Sequence, residues 1–156
     1  MKIKYLAVAI LALTTTAFAA TGPANFSGKW KFDAAQSKNV GMMAQGKITT
    51  AITQSKTQIV VDDTSDFSGQ IDQQHTVYDL SGKATANTLL MAGRATARSH
   101  WEGARLVTEW ENAGSIAGTT VKRTETRYLS ADGGTMYVES ERPGKESMVM
   151  VFTREK

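Results

Sequence analysis

The stretch Arg105-Leu106-Val107-Thr108-Glu109-Trp110-Glu111 decides the fold of this chain. In it, Leu106, Thr108 and Trp110 alternate with residues that are mostly charged. Because successive side chains of a β-strand point to opposite faces, a period of two is typical of a strand with one buried face. The sequence therefore predicts a strand over 105–111.

Comparable stretches, rich in Val, Ile, Thr, Tyr and Trp, follow one another along the chain. The predicted strands are 28–32, 47–54, 58–62, 71–80, 93–101, 105–111, 119–129, 135–141 and 147–154. Residues 34–44 could form a short turn or lid, and residues 84–90 a turn or a weak strand. No repeat or linker divides the chain, so we expect one domain.

Short turns join these strands. Glycine-containing connections at 101–104 and 131–134 suit tight hairpins, and Arg142-Pro143-Gly144-Lys145 is a Pro-Gly turn. Strands joined so closely pair antiparallel with their neighbours, and closing the sheet removes its exposed edges. The predicted fold class is all-β, an antiparallel up-and-down closed β-barrel of about eight to ten strands. A two-sheet sandwich is the alternative.

The first nineteen residues are typical of a secretory signal peptide. Lys2 and Lys4 precede an apolar run over 6–13, and Ala17-Phe18-Ala19 offers small residues at a cleavage site. The run is far shorter than the roughly 20 residues that cross a bilayer, although a retained anchor is the alternative. We expect cleavage after Ala19, a domain over 20–156 with no membrane-spanning segment, and a periplasmic or secreted location.

Charge and cysteine content exclude several classes of function. Losing Lys2 and Lys4 takes the formal net charge from +3 to +1, and the remaining basic residues are scattered. Nucleic-acid binding needs a basic patch, so nucleic acid is not an expected partner. With no cysteine, the chain has no thiolate nucleophile, thiolate metal site or disulfide. The oligomeric state is left open.

The segment Asn25-Phe26-Ser27-Gly28-Lys29-Trp30-Lys31-Phe32-Asp33, followed by Ser37-Lys38-Asn39, resembles the opening of calycins, the lipocalins and fatty-acid-binding proteins. Similar layouts occur in uncharacterised exported bacterial proteins. In calycins this Trp closes one end of the barrel, and lipocalins place an Arg of the last strand over it. The resemblance therefore implies a lipocalin-like barrel closed by Trp30 and Arg154. The C-terminal Arg-x-Tyr of fatty-acid-binding proteins is not matched by Phe152-Thr153-Arg154, so their ligand chemistry does not carry over.

The favoured function is binding of a small, partly apolar or amphipathic ligand inside the barrel. The predicted cavity-lining residues are Leu106, Trp110, Tyr128, Met136, Val138, Met148, Met150 and Phe152. A cavity of roughly 300 Å³ or more beside Trp110 and the two methionines 148 and 150 would favour this function. A packed interior would favour the alternative, a non-enzymatic interaction or inhibitor module with a solid barrel.

Two strands alternate ionisable side chains on one face. They carry Arg94, Arg98 and His100 on one strand, and Arg123, Glu125 and Arg127 on the other. We expect both faces to be solvated, with weak cross-strand ion pairs. An inward set would instead imply an anionic ligand, because a buried unpaired guanidinium is too costly to keep.

The sequence predicts no enzyme, no cofactor and no metal site. His75 and His100 lack the spacing of a zinc site. Ser99 and His100 are neighbours on a strand and point to opposite faces, so they cannot form a catalytic pair. An outer-membrane barrel is not expected either, since Arg105–Glu111 has charges on one face and Thr108 on the other.

Overall fold

The computed structural model describes residues 22–156, which leaves the predicted signal segment outside the described residues. These residues form ten strands and a single 3₁₀ helix, Gly41–Gln45. The strands are Gly28–Phe32 (β1), Lys47–Gln54 (β2), Gln58–Phe67 (β3), Gln70–Asp79 (β4), Ala84–Leu89 (β5), Gly93–Glu102 (β6), Arg105–Ala113 (β7), Thr120–Leu129 (β8), Thr135–Glu141 (β9) and Met148–Arg154 (β10).

All ten strands belong to one antiparallel sheet of order β4-β3-β2-β1-β10-β9-β8-β7-β6-β5. The first strand pairs with the last, with Trp30 opposite Arg154 and Phe32 opposite Phe152. This pairing rolls the meander into a nearly closed barrel and confirms the predicted all-β, up-and-down fold.

The strands β4 and β5 are the two edges of the sheet, and side-chain amides bridge the seam between them. The Val77 backbone N–H donates to Asn87 Oδ1 at 2.8 Å, and Asn87 Nδ2 donates to the Val77 carbonyl at 3.0 Å. The Leu90 backbone N–H donates to Gln74 Oε1 at 2.9 Å. The Asn87 amide thus takes the place of a peptide group of a neighbouring strand.

The barrel has two distinct ends. The Trp30 end holds the β2–β3, β4–β5, β6–β7 and β8–β9 connections, and the far end holds the other five. At the Trp30 end, Phe26 is fully buried and its ring stacks on Trp101 at 5.9 Å. Near the far end several inward side chains, including Phe67, Asn112 and Met148, are only partly buried.

Two segments differ from expectation. Strand β3 runs to Phe67 rather than Asp62, because its polar second half pairs with β2 as far as Asp66 and with β4 as far as Phe67. Residues 84–89 form the regular strand β5. Within residues 22–156, no helix has the length and apolar character needed to cross a membrane.

Candidate ligand-binding site

The predicted pair of Trp30 and Arg154 is in contact at the Trp30 end. Trp30 is fully buried, its Nε1 donates to the Phe26 carbonyl at 2.9 Å, and the Arg154 guanidinium lies 4.1 Å from the centre of its ring. Arg154 also donates from Nη1 to the Ser27 carbonyl at 2.7 Å and from Nε to the Gly133 carbonyl at 3.0 Å. The guanidinium therefore ties the last strand to both the first strand and the β8–β9 turn.

Strand β8 turns its ionisable face into the barrel, so the prediction of an outer face for it was wrong. Arg127 lies opposite Leu106 on β7 and Val138 on β9, and these partners are almost completely buried. Directly opposite residues of paired strands share a face. The apolar faces of β7 and β9 therefore set the orientation of β8, whose own composition is polar on both sides.

Arg127 lies at the centre of an interior polar cluster formed by Tyr78, Trp110, Arg123, Glu125 and Arg127. The Nη2 atom of Arg127 donates to Glu125 Oε1 and to the Tyr78 hydroxyl, both at 3.2 Å. The Tyr78 hydroxyl donates to the same Glu125 oxygen at 3.1 Å. Tyr78 belongs to β4, on the opposite wall, so no local pattern indicated its participation. Burial, followed by the charge of Glu125, raises the pKa of Tyr78, which keeps the phenol protonated.

Four donor atoms of this cluster find no acceptor within residues 22–156. They are Trp110 Nε1, Arg123 Nε, and Nε and Nη1 of Arg127. Arg123 lies over the Trp110 ring at 4.9 Å, and Trp110 meets Tyr78 edge-on at 5.7 Å. The cluster therefore presents both positive charge and free N–H donors to the interior of the barrel.

Asp63 brings a second carboxyl group toward the cluster from β3. It accepts a hydrogen bond from the buried hydroxyl of Thr50, its cross-strand partner. Burial raises the pKa of Asp63, against the opposing effects of Thr50 and of the positive charge of Arg127. Asp63 therefore holds its proton more tightly than an exposed aspartate does.

Seven of the eight predicted lining residues lie on inward-facing register positions. Met136, Val138, Met150 and Phe152 form two directly opposed pairs on β9 and β10, as the register pairs Met136 with Phe152 and Val138 with Met150. Leu106 and Trp110 are almost fully buried on β7, whereas Met148 is partly exposed near the far end.

Tyr128 lies on the outer face, which corrects its predicted place in the lining. It directly follows Arg127 on β8, and the Arg127 side chain points inward. Its ring stacks on Tyr137 at 5.0 Å, and the Arg105 guanidinium lies 4.2 Å from the ring centre. The inward orientation of Arg127 forces this position, since neighbouring residues on a strand face opposite sides.

Two of the clefts of the described residues are lined by side chains other than Trp110, Met148 and Met150. One of about 350 Å³ is lined by Asp62, Asp63, Thr64, Gln73, Gln74 and His75. The other, of about 290 Å³, is lined by Lys122, Arg123, Thr124, Glu141, Arg142 and Pro143. Arg123 of the interior polar cluster also lines the second cleft. It lies in the first part of β8, which precedes Thr124 and has no partner on β9.

The ionisable face of β6 is exposed, as predicted. Arg94, Arg98 and His100 are all exposed, while Ser99 between them is buried and shares a 2.9 Å hydrogen bond with Thr108. His75 lies 2.7 Å from Asp62, also at an exposed position. Among the described residues, no three His, Asp or Glu side chains are grouped so as to hold a metal ion.

The same fold occurs in solved structures of other proteins. One is a mutant of the fluorescent protein UnaG, with 16% identity, a TM-score of 0.62, and coverage of 84% of this chain and 96% of that chain. The REP1-NXSQ fatty acid transporter has 14% identity, a TM-score of 0.64, and coverage of 83% and 96%. Apo lipid binding protein 8 of Caenorhabditis elegans has 13% identity, a TM-score of 0.64, and coverage of 83% and 95%.

No protein-family model and no curated protein sequence matches this chain. The structural likeness shows that this chain shares the barrel fold of these proteins.

Proposed function

We propose that this protein binds a small amphipathic molecule in the barrel, with an anionic headgroup against Arg123 and Arg127. The observation that carries the proposal is the set of buried donors without an acceptor in the interior polar cluster. A buried donor left unpaired costs about 1–3 kcal/mol, and more when the group is charged. A ligand carboxylate supplies acceptors for these donors and charge for the guanidinium groups.

The charges of the cluster favour an anion over a cation. Arg127 has one carboxylate partner, Glu125, and it uses only its Nη2 for that contact. Arg123 has no ion pair within 4.0 Å among the described residues, and burial raises the pKa of Asp63. Nε and Nη1 of Arg127 remain without an acceptor, and each can donate a charge-assisted hydrogen bond to an anionic headgroup.

The apolar part of the ligand has a path along β9 and β10. Val138, Met150 and Met148 lead from the neighbourhood of Arg127 toward the far end, and burial decreases along that path. Methionine side chains adapt to irregular apolar groups. The named functions of two structural neighbours, a fatty acid transporter and a lipid binding protein, support the same class of ligand.

Isothermal titration calorimetry with dodecanoate and with dodecan-1-ol tests this proposal, since the two share a chain and differ in the charged headgroup. We expect dodecanoate to bind and the alcohol to bind at least tenfold more weakly. Because Arg127→Met alone would leave Glu125 buried and unpaired, the test variant is the double substitution Glu125→Gln/Arg127→Met. It should weaken dodecanoate binding by roughly 10- to 100-fold, the worth of one or two charge-assisted hydrogen bonds.

Arg98→Met is the matched control, because Arg98 is exposed on the outer face of β6. It should leave dodecanoate binding unchanged. Equal binding of dodecanoate and dodecan-1-ol would refute the proposal that the ligand has an anionic headgroup. Equal effects of Glu125→Gln/Arg127→Met and Arg98→Met on dodecanoate binding would refute it as well.

A protein-interaction module is the second candidate. One observation favours it: two clefts of the barrel are lined by polar and charged side chains away from the predicted lining at Trp110, Met148 and Met150. Native mass spectrometry of protein purified from its own host separates the two. A co-purifying small molecule supports the binding function, and a bare chain that captures a protein partner supports the module.

We also propose that the chain is exported and that residues 1–19 are removed. The support is the sequence alone, with Lys2 and Lys4 before the apolar run 6–13 and small residues at the cleavage site. Mass spectrometry of the secreted or periplasmic fraction should find a chain that begins at Ala20. A full-length chain in the cytosol would contradict the proposal.

A further inference from the structure

The large apolar side chains that the barrel exposes are concentrated at one end. Six such residues are exposed in the described part of the chain: Met42 (77%), Ile71 (63%), Leu90 (54%), Met91 (96%), Ile116 (71%) and Val121 (37%). Each lies in, or within two residues of, a connection between an odd-numbered strand and the next. In an up-and-down barrel all these connections meet at the same end, which is the far end.

The opposite end has a different character. Three of its four connections consist of small or polar residues, namely Ser55-Lys56-Thr57, Gly103-Ala104 and Ser130-Ala131-Asp132-Gly133-Gly134. The fourth, Leu80-Ser81-Gly82-Lys83, has one large apolar residue, Leu80, which is partly buried. Four of the five far-end connections carry or adjoin one of the six apolar residues, and the exception is the β9–β10 turn. We call the six residues the apolar rim.

We propose that the apolar rim is the contact surface for a second copy of this chain, so that two barrels meet far end to far end. At the exposures given, the six side chains present roughly 700 Å² of surface, close to the about 800 Å² per partner that a standard protein interface buries. Monomeric proteins rarely expose so much apolar surface in one region.

The charge of the far end favours a second copy over an anionic surface. Its five connections, with three strand residues on each side of them, carry seven basic and seven acidic side chains. The basic residues are Lys31, Lys38, Lys47, Arg94, Lys122, Arg142 and Lys145, and the acidic ones are Asp33, Asp66, Asp72, Glu111, Glu139, Glu141 and Glu146. A two-fold contact places a surface against itself, so charges of both signs allow opposite charges to meet across it. An anionic membrane or nucleic acid would instead require an excess of basic residues.

Sedimentation velocity over 2–200 µM, on the chain in the processed form that its host yields, tests the proposal. We expect a concentration-dependent dimer whose dissociation constant rises at least tenfold in Met91→Lys and in Ile116→Lys. Both side chains are themselves largely exposed, at 96% and 71%, and far-UV circular dichroism verifies that the variants fold.

Ala131→Lys is the matched control, because it adds the same charge to an exposed turn at the Trp30 end. It should leave the dimer intact. A monomer at all concentrations, or a dimer insensitive to both rim variants, would overturn the proposal. Co-sedimentation of the wild-type monomer with neutral phosphatidylcholine vesicles, lost in Met91→Lys, would assign the rim to a lipid surface instead. Ligand binding inside the barrel is measured separately, so its failure leaves this inference untouched.

Discussion

Trp30 is the single side chain on which most contacts of its end of the barrel converge. It is fully buried, accepts the Arg154 guanidinium on its ring face, and donates to the Phe26 carbonyl. Gly28, two residues before Trp30, is required by the same packing of Arg154 over the Trp30 ring. A Cβ at Gly28, whose φ is +133°, would lie 2.7 Å from Arg154 Nη1. Only glycine lets the first strand and this guanidinium approach so closely.

Trp30→Ala should lower the stability of the barrel by about 3–5 kcal/mol, the usual cost of deleting a large buried aromatic side chain. For a domain of this size we expect the melting temperature to fall by on the order of 10 °C. Thermal unfolding followed by circular dichroism measures the effect. Lys31→Ala, at the exposed neighbouring position, should change the melting temperature by no more than about 2 °C.

Asp63 should make the stability of the barrel depend on pH. Burial raises the pKa of Asp63 above its usual 3.8, so the folded chain holds this proton more tightly than the unfolded chain. The stability that Asp63 contributes is therefore fully present below about pH 4 and is lost as the pH rises through its folded-state pKa. Asp63→Asn, which cannot ionise, should gain stability relative to wild type between pH 4 and pH 7. Melting temperatures at both pH values test this, and a constant difference would contradict it.

At the scale of the strands, Asn87 makes two of the three hydrogen bonds described across the seam between β4 and β5. Asn87→Ala removes both hydrogen bonds to Val77 and leaves a backbone N–H and carbonyl of β4 without their partner. We expect a loss of about 1–3 kcal/mol and faster hydrogen exchange at the Val77 amide. Thr88→Ala, at the exposed position next to Asn87, is the control and should leave that exchange rate unchanged. Equal exchange in both variants would show that the seam does not rely on Asn87.

The strands themselves were largely predictable, because period-two patterning and turn residues act locally. The bounds of β1, β2 and β9 were predicted to the residue, and the Trp30–Arg154 contact was expected from the resemblance. The face of β8 was not predictable from β8 alone. Tyr128 belongs to the face formed by the even-numbered residues of β8, and Arg127 to the face formed by the odd-numbered ones. Only the apolar faces of β7 and β9 determine which of the two faces points into the barrel. A shift of one residue in the pairing of β8 with its neighbours would have turned Tyr128 inward and Arg127 outward.

The interior polar cluster lay beyond sequence reasoning for a related reason. Tyr78 and Glu125 are 47 residues apart and belong to opposite walls of the barrel. Nothing in either strand specifies that they meet, since their strands are not paired with each other and the contact spans the interior of the barrel. The donors that carry the proposed function are therefore a property of the closed barrel.

At the scale of the whole molecule, closure should make unfolding cooperative. Trp30, Trp101 and Trp110 occupy inward positions on three different strands, and the sheet that joins them is continuous from β4 to β5. Tryptophan fluorescence reports packing inside the barrel, and far-UV circular dichroism reports the strands. We expect both to give the same urea midpoint, as in two-state unfolding. Midpoints that differ by more than their errors would indicate that part of the sheet unfolds first.

The missing backbone ladder between β4 and β5 has a consequence for the connectivity of the chain. The seam strands are joined by only Leu80-Ser81-Gly82-Lys83, while β1 and β10 lie side by side, with Glu155 N–H donating to the Lys29 carbonyl at 2.9 Å. A circular permutant that links Lys156 to Gly22 and opens at Gly82 would keep every interstrand ladder. Its first and last strands would then be the two that need no backbone pairing with each other, so the permuted chain encodes the same barrel as an unbroken ten-strand ribbon.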